Sequence, residues 1–235
     1  MPTRRSALAL LTAFGASGFR REPAAALLDR AIARAGGRRA LERARVLAWT
    51  GEAVIFAGGG RIEIGASTVV EPFAYARSES WLKADGPARS RTMLIEGDRG
   101  RILRGGKTEP MPAAMLAHER QQFAAYGLMR LVTLRDQGAA FRLAGPDASG
   151  LQGLEVAHPS APPAVLWFEP DGRLAALTDR VLDPEGGPAP IEQRFTFEGE
   201  IVGAGVRWPR TLRIAQNGAP YFELTLSSFS PRPSR

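Results

Sequence analysis

The chain contains 235 residues, 44% of them hydrophobic, 8% aromatic and 23% charged, and it has no cysteine. This length and composition are typical of an ordinary globular domain with a real core, and the missing cysteines exclude disulfide bonds as a source of stability. The formal net charge of +7 rests on scattered basic residues, nearly all arginine, which argues against a nucleic-acid partner.

The first 22 residues have the organisation of a secretory signal peptide. A basic start with Arg4 and Arg5 precedes the short apolar run Ala7–Phe14, and small residues follow at 15–18. The paired arginines resemble a twin-arginine export signal, and a general secretory signal is the alternative. We therefore expect residues 1–22 to be removed on export, leaving residues 23–235 as a single domain in the periplasm. We expect no lipid anchor, which needs a cysteine, and no membrane span, which needs about eighteen consecutive apolar residues.

The mature chain begins with a predicted amphipathic helix, Pro23–Ala35. Gly36 and Gly37 provide its stop, and a short second helical turn follows. The apolar residues that share one face of the helix are Leu27, Leu28, Ala31, Ile32 and Ala35. A helix with such a face must dock on a second layer of structure.

The pattern then changes to the alternation that is typical of β-strands. In "VLAWTGEAVIF", one face carries Leu47, Trp49, Ala53 and Ile55 while the other carries Thr50 and Glu52. Similar segments recur to the end of the chain, separated by turn dipeptides of the Asp-Gly and Asn-Gly type. They predict roughly ten to twelve strands arranged as antiparallel hairpins.

A second predicted helix, from Ala113 to about Leu134, interrupts the strands. Gly127 is predicted to break or kink this helix, because glycine is a poor helix former. The two helical segments are the available cover for one face of the sheet.

Both ends of the mature chain resemble a known superfamily. The lead-in "LLDRAIARAGGRRALERARVLAWTGEAVI", with its glycine corner, is similar to the start of the bacterial outer-membrane lipoprotein-sorting proteins, the LolA/LolB-like superfamily. The tail "FEGEIVGAGVRWPRTLRIAQNGAPYFELTLSSF" is similar to its closing hairpins, in which a glycine-valine-x-aromatic-proline element, here Gly205–Pro209, precedes two paired strands. The central segment "MPAAMLAHERQQFAAYGLMRLV" has no counterpart in the superfamily.

The resemblance implies a mainly β fold with helical cover, of the α+β class. A strongly curved antiparallel sheet would form an unclosed barrel, with the N-terminal helix and the central helical insertion over its concave face. Members of the superfamily use the apolar cavity for acyl chains of lipoproteins, for lipids or for sensing them. Regulatory members bind a membrane signalling protein.

The central helix contains "LAHERQQF", which is one residue away from the zinc-protease motif H-E-x-x-H. Gln122 stands where the second histidine should be, and His158 is the only histidine besides His118. Glutamine cannot replace that zinc ligand, so we expect no metal, no cofactor and no catalytic residue.

Two interpretations of this polar turn remain open. Glu119 shares a stripe with apolar residues, so it either pairs with a strand arginine such as Arg91 or Arg104 or lines a cavity mouth. In the second interpretation the ligand-binding residues are His118, Glu119, Arg120, Phe123, Tyr126, Met129 and Trp49.

The sequence favours an exported, noncatalytic carrier or sensor, expected to be a monomer, whose apolar cavity binds a lipid or an acylated lipoprotein. The alternative is a regulatory module of the cell envelope that docks a protein partner and has no lipid ligand. A third and less favoured hypothesis is a hydrolase that uses the pair His118 and Glu119.

Overall fold

The structure is a computed structural model that describes residues 23–234. The predicted signal peptide, residues 1–22, lies outside the described residues. The described residues contain three α-helices, α1 (Ala24–Arg34), α2 (Arg38–Arg43) and α3 (Ala113–Met129), and two short 3-10 turns, Pro87–Arg89 and Val132–Arg135.

Fifteen strands make up the rest of the regular structure between residues 23 and 234. They are β1 (Leu47–Ala57), β2 (Gly60–Glu71), β3 (Tyr75–Leu82), β4 (Arg91–Glu96), β5 (Arg99–Arg104), β6 (Lys107–Pro110), β7 (Ala140–Pro146), β8 (Gln152–His158), β9 (Ala161–Phe168), β10 (Leu174–Val181), β11 (Ile191–Glu198), β12 (Ile201–Gly203), β13 (Val206–Trp208), β14 (Thr211–Gln216) and β15 (Ala219–Phe229).

Thirteen of these strands form one antiparallel sheet, and β12 and β13 form a separate hairpin. The strand order of the sheet is β6-β5-β4-β3-β2-β1-β15-β14-β11-β10-β9-β8-β7. The first and last strands therefore pair in the middle of the sheet. The edge strands are β6 and β7, and α3 lies in the connection between them.

The pairing of β1 with β15 contains a bulge that bends the sheet. The register shifts between Thr50 and Gly51, and a Cβ atom on Gly51 would lie 2.3 Å from the carbonyl oxygen of Thr225. Only glycine allows the two backbones to approach this closely, and a bulge of this kind increases the local twist. The sheet curves into an unclosed barrel with helical cover, which confirms the predicted fold class.

The concave face of the sheet and the inner faces of the helices form the core. Leu47, Trp49 and Ala53 of β1 are buried, as the alternation predicts. The predicted apolar face of α1 also turns inward, because its buried residues are Leu27, Leu28, Ala31 and Ile32. The outward residues of β1, Thr50 and Glu52, are exposed.

Two predictions about the secondary structure are wrong in detail. The central helix runs through Gly127 without a break and ends at Met129, and the chain changes direction at Leu131, which has a left-handed φ of 60°. The number of strands is larger than predicted because two long segments each divide into two strands and because the short β6 has too little pattern to be detected.

No helix between residues 23 and 234 is long and apolar enough to cross a membrane.

Candidate binding site

Polar side chains of α3 form hydrogen bonds with the backbone of Leu182, which directly follows β10. His118 donates a hydrogen bond from Nδ1 to the carbonyl of Leu182 (2.6 Å), and the amide of Leu182 donates to Oε1 of Gln121 (2.7 Å). Nε2 of His118 accepts a hydrogen bond from the amide of Gln122 (3.2 Å). The His118 residue is 1% exposed, and burial lowers the pKa of its imidazole although the Leu182 carbonyl acts in the opposite direction. A neutral ring with both nitrogens engaged anchors the helix and offers no lone pair to a metal or substrate.

The described residues provide no other metal site either. No group of three or more histidine, cysteine or acidic residues between 23 and 234 could hold a metal ion. His158 lies at the end of β8 and contacts Phe73, whereas His118 contacts Leu182 beyond β10. Within residues 23–234 the two histidines share no hydrogen bond or ring contact.

Glu119 lies on the side of α3 that faces the concave surface of the sheet, and its charge acts on Tyr126 and Tyr221. Burial raises the pKa of its carboxyl to about 7, and the charge of Arg91 acts in the opposite direction. No salt bridge involves Glu119 within the described chain, so the expected partner Arg91 acts on it only at longer range. Burial raises the pKa of both Tyr126 and Tyr221, and the nearby Glu119 charge raises it further. The charge of Glu119 thus acts on both phenol groups.

A groove of about 490 Å³ opens between α3 and two turns from opposite ends of the sheet. We call it the mouth groove. Its wall combines the β2–β3 turn, the β8–β9 turn and residues of α3. The principal side chains that line it are Phe73, Tyr75, Ile95, Arg120, Phe123 and Leu182. Leu182 is 49% exposed, so its side chain is open to solvent at the groove.

An aromatic series leads from the mouth groove into the core. The ring of Phe123 lies 6.1 Å from that of Tyr126, and the ring of Tyr126 lies 4.9 Å from that of Trp49. Behind them, a void of only about 10 Å³ remains between Trp49, Tyr126 and Trp208. The space behind this aromatic series is therefore filled by side chains. A second open groove, of about 590 Å³, runs along β7–β10 and is lined by Phe141, Val165 and Arg180 among others.

Phe73, His158 and Gly127 form a clasp at one side of the mouth groove. The ring of Phe73 stacks on the imidazole of His158, with centroids 4.4 Å apart and planes inclined by 13°. The same ring lies against the backbone of α3, where a Cβ atom on Gly127 would lie 2.2 Å from its tip. Phe73 itself has a left-handed φ of 71°. The clasp joins the β2–β3 turn, the end of β8 and α3 through side-chain packing.

The seven predicted site residues lie in several different parts of the structure. Arg120 and Phe123 line the mouth groove, with Tyr126 and Trp49 behind Phe123. Glu119 lies on the concave side of the same helix. His118 is engaged by Leu182, and Met129 lies beside a small void of about 40 Å³ under α1.

Sequence reasoning missed four of the six principal side chains of the mouth groove, namely Phe73, Tyr75, Ile95 and Leu182. Phe73 and Leu182 lie in turns, where no periodic pattern marks them as inward or outward. An apolar residue flanked by turn residues, as in "EPFAY" and "RVLDPE", was the available signal for both.

No protein-family model and no curated protein sequence matches the chain. Solved structures do match it. A LolA superfamily protein from Nitrosomonas europaea is 12% identical, with a TM-score of 0.55 over 91% of this chain and 96% of that one. A domain from Vibrio parahaemolyticus described as an outer membrane lipoprotein-sorting protein is 14% identical, with a TM-score of 0.53 over 88% of this chain and 92% of that one. A DUF1329 family protein from Desulfovibrio piger is 12% identical, with a TM-score of 0.56 over 89% of this chain and 93% of that one.

The curved sheet, its helical cover and the groove at its mouth define a half-barrel protein with an opening beside the covering helix. The matches extend over nearly the whole length of the chains compared. The fold is LolA-like, and the resemblance seen at the two ends of the sequence is confirmed at the level of the fold.

Proposed function

We propose that the protein is a noncatalytic carrier or sensor of the bacterial periplasm that binds a lipid or an acylated ligand in the mouth groove. The likeness to a lipoprotein-sorting domain and to a LolA superfamily protein supports this class of function. The proposed location rests on the signal peptide expected at residues 1–22.

The single observation that carries the proposal is the mouth groove itself. Its volume of about 490 Å³ falls within the range of about 300–1,000 Å³ that is usual for small-molecule sites. Phe73, Phe123 and Leu182 provide apolar contact, and Arg120 adds a charged group at the rim. An apolar cleft with few polar groups is suited to a chain that has a polar end.

A noncatalytic role agrees with the state of the histidine that the sequence singled out. Nδ1 of His118 donates to the Leu182 carbonyl and Nε2 accepts from Gln122, so the ring has no lone pair available as a general base unless it loses the Gln122 bond.

The test is uptake of a fluorescent fatty-acid probe by protein from which endogenous lipid has been stripped. We expect saturable binding by the wild type and about tenfold weaker binding by Phe123→Ala, which corresponds to ~1.4 kcal/mol. Phe56→Ala is the matched control, because Phe56 is also half-buried but lies on the opposite side of β1 from the core, over Arg61. Equal losses in both variants would show that binding does not use the groove.

A docking module of the cell envelope is the second candidate function. The filled interior around Trp49 and Tyr126 favours it, because little preformed space lies behind the mouth. If the stripped wild-type protein takes up no probe at all, the carrier proposal fails and this function takes its place.

A further inference from the structure

The mouth groove contains a single charged side chain. Fifteen residues line it, and Arg120 is the one among them that carries a charge. Within residues 23–234 the exposed guanidinium of Arg120 forms no ion pair and no hydrogen bond. An arginine presents five N–H donors and accepts none. The guanidinium is therefore available to a ligand in the groove.

The carboxylates next to the groove do not neutralise this cation. Glu96 adjoins the lining residue Gly97, but it is paired with Arg101 (2.5 Å). Oδ1 of Asp183, which follows Leu182, accepts a hydrogen bond from the amide of Glu185 (2.8 Å). Glu119 acts on tyrosines of the concave side. In the described chain none of these three carboxylates forms an ion pair with Arg120, so the groove keeps a positive charge.

Gln121 adds further donors beside Arg120. Its Oε1 accepts a hydrogen bond from the backbone amide of Leu182 (2.7 Å). Because that amide can only donate, the atom facing it must be the oxygen, and Nε2 keeps its two hydrogens for another partner. Nε2 has no partner within the described residues, and Gln121 also lines the groove. Two neighbouring side chains of α3 thus offer donors to the same space.

The donors lie beside the apolar part of the groove. Arg120 and Phe123 are three residues apart on α3, which places their Cβ atoms about 5–6 Å apart on neighbouring parts of the helix surface. Phe73 and Ile95 extend the apolar lining. A ligand can therefore place a charged end at Arg120 while the chain attached to it contacts Phe123.

We infer that the mouth groove selects acyl chains that end in an anionic group, a carboxylate or a phosphate, and that Arg120 recognises this group. Both anions only accept hydrogen bonds, so they match the free donors of Arg120 and Gln121, and the charge strengthens these bonds. A neutral alcohol brings no charge to the arginine. The inference rests on the proposed function, because it names the class of acylated ligand that the same groove takes.

The test compares a fatty acid with the alcohol of the same chain length as competitors for the fluorescent fatty-acid probe, with each dissociation constant corrected for the affinity of the probe. We expect the acid to bind the wild type about tenfold more tightly than the alcohol. The ratio should fall to about one in Arg120→Gln and should invert in Arg120→Glu, because like charges repel. Arg39→Gln removes the same charge from an exposed position of α2 outside the groove and should keep the tenfold ratio.

Two further measurements separate charge recognition from apolar contact. Phe123→Ala should weaken the acid and the alcohol equally, whereas Arg120→Gln should weaken the acid alone. Raising the salt concentration from about 0.01 M to about 1 M should reduce the preference of the wild type for the acid, because an exposed ion pair is screened. Arg120 is exposed, so its variants should keep the wild-type melting temperature.

A lysophosphatidic acid of the same chain length distinguishes the two anions. Tighter binding of either anion than of the alcohol supports the inference, and the tighter of the two identifies the head group that the groove prefers.

The outcomes separate the inference from the proposed function. Wild-type protein that binds the probe but binds the acid, the lysophosphatidic acid and the alcohol equally overturns the inference and leaves the carrier proposal standing. A tenfold preference for the acid that survives in Arg120→Gln also overturns it, because the anion is then recognised elsewhere. Wild-type protein that binds no probe overturns both.

Discussion

Replacing Gly127 by alanine should have opposite effects on stability depending on the residue at position 73. In the wild type, the three atoms nearest to a Cβ at position 127 all belong to the ring of Phe73, at 2.2, 2.7 and 2.7 Å. These distances are far below van der Waals contact, so the ring must move away from α3 and from His158. In Phe73→Ala the ring is absent, and the new methyl group meets none of these atoms.

The magnitudes follow from two opposing effects. Overpacking of this kind costs roughly 1–3 kcal/mol, while alanine in place of glycine inside a helix contributes about 1 kcal/mol of stability. Gly127→Ala should therefore destabilise the wild type by up to about 2 kcal/mol and stabilise Phe73→Ala by about 1 kcal/mol. Phe73→Ala alone should cost about 2–3 kcal/mol, less than the ~3–5 kcal/mol of a fully buried phenylalanine, because the ring is only partly buried.

Urea unfolding followed by tryptophan fluorescence measures all four proteins of this double-mutant cycle. Ala33→Gly at an exposed position of α1 calibrates the helix contribution, with an expected loss of about 1 kcal/mol. If Gly127→Ala changes the free energy of unfolding by the same sign and size in both backgrounds, the reasoning is refuted, because the ring of Phe73 is then not the group that requires glycine.

Three further predictions concern charge, anchoring and metal. The pKa of Asp179 is raised from an ordinary value of 3.8 to about 7. Between these values the folded state holds a proton that the unfolded state releases. The free energy of unfolding of the wild type should therefore fall as pH rises from about 4 to 7. Urea unfolding should show that, relative to Asp179→Asn, the wild type loses on the order of 2–4 kcal/mol of unfolding free energy between pH 5 and pH 8. The same pH dependence in both proteins would contradict this prediction. His118→Leu should cost about 1–3 kcal/mol in the same assay, because it leaves the carbonyl of Leu182 unpaired, and an unchanged midpoint would show that this bond does not anchor α3. Dialysis against a chelator should shift the wild-type melting temperature by less than about 1 °C, whereas a shift of several degrees would reveal a metal that stabilises the folded state.

The sequence predicted the features that depend on neighbours along the chain. The alternation of β1 and the apolar face of α1 were readable because burial there follows the period of the element itself. Asp179 and Gln193 could also have been noticed as polar residues in the inward phase of their strands. Their buried atoms that lack a partner within the described chain could not, since this depends on what separate strands bring together.

Features that depend on distant contacts were interpreted wrongly or missed. Gly127 looks like a helix breaker from its local sequence, but the helix continues through it and the glycine makes room for a ring from the β2–β3 turn. His118 was considered as a ligand contact at a cavity mouth, and its hydrogen bond to the backbone beyond β10 was missed. In both cases the partner lies more than fifty residues away, where no local pattern can reveal it.

The central pairing of β1 with β15 has a consequence for the order in which the molecule can form. On either side of this seam the strands follow one another in hairpins, apart from the short β12–β13 excursion, so each half can begin to assemble as soon as its own residues are present. The seam itself joins residues near position 50 to residues near position 228, and closing so long a loop is slow. The two halves are thus expected to meet last, after the final strand has been completed. Until then both strands of the seam present an unpaired edge, and the newly made chain is most vulnerable to aggregation at its future centre.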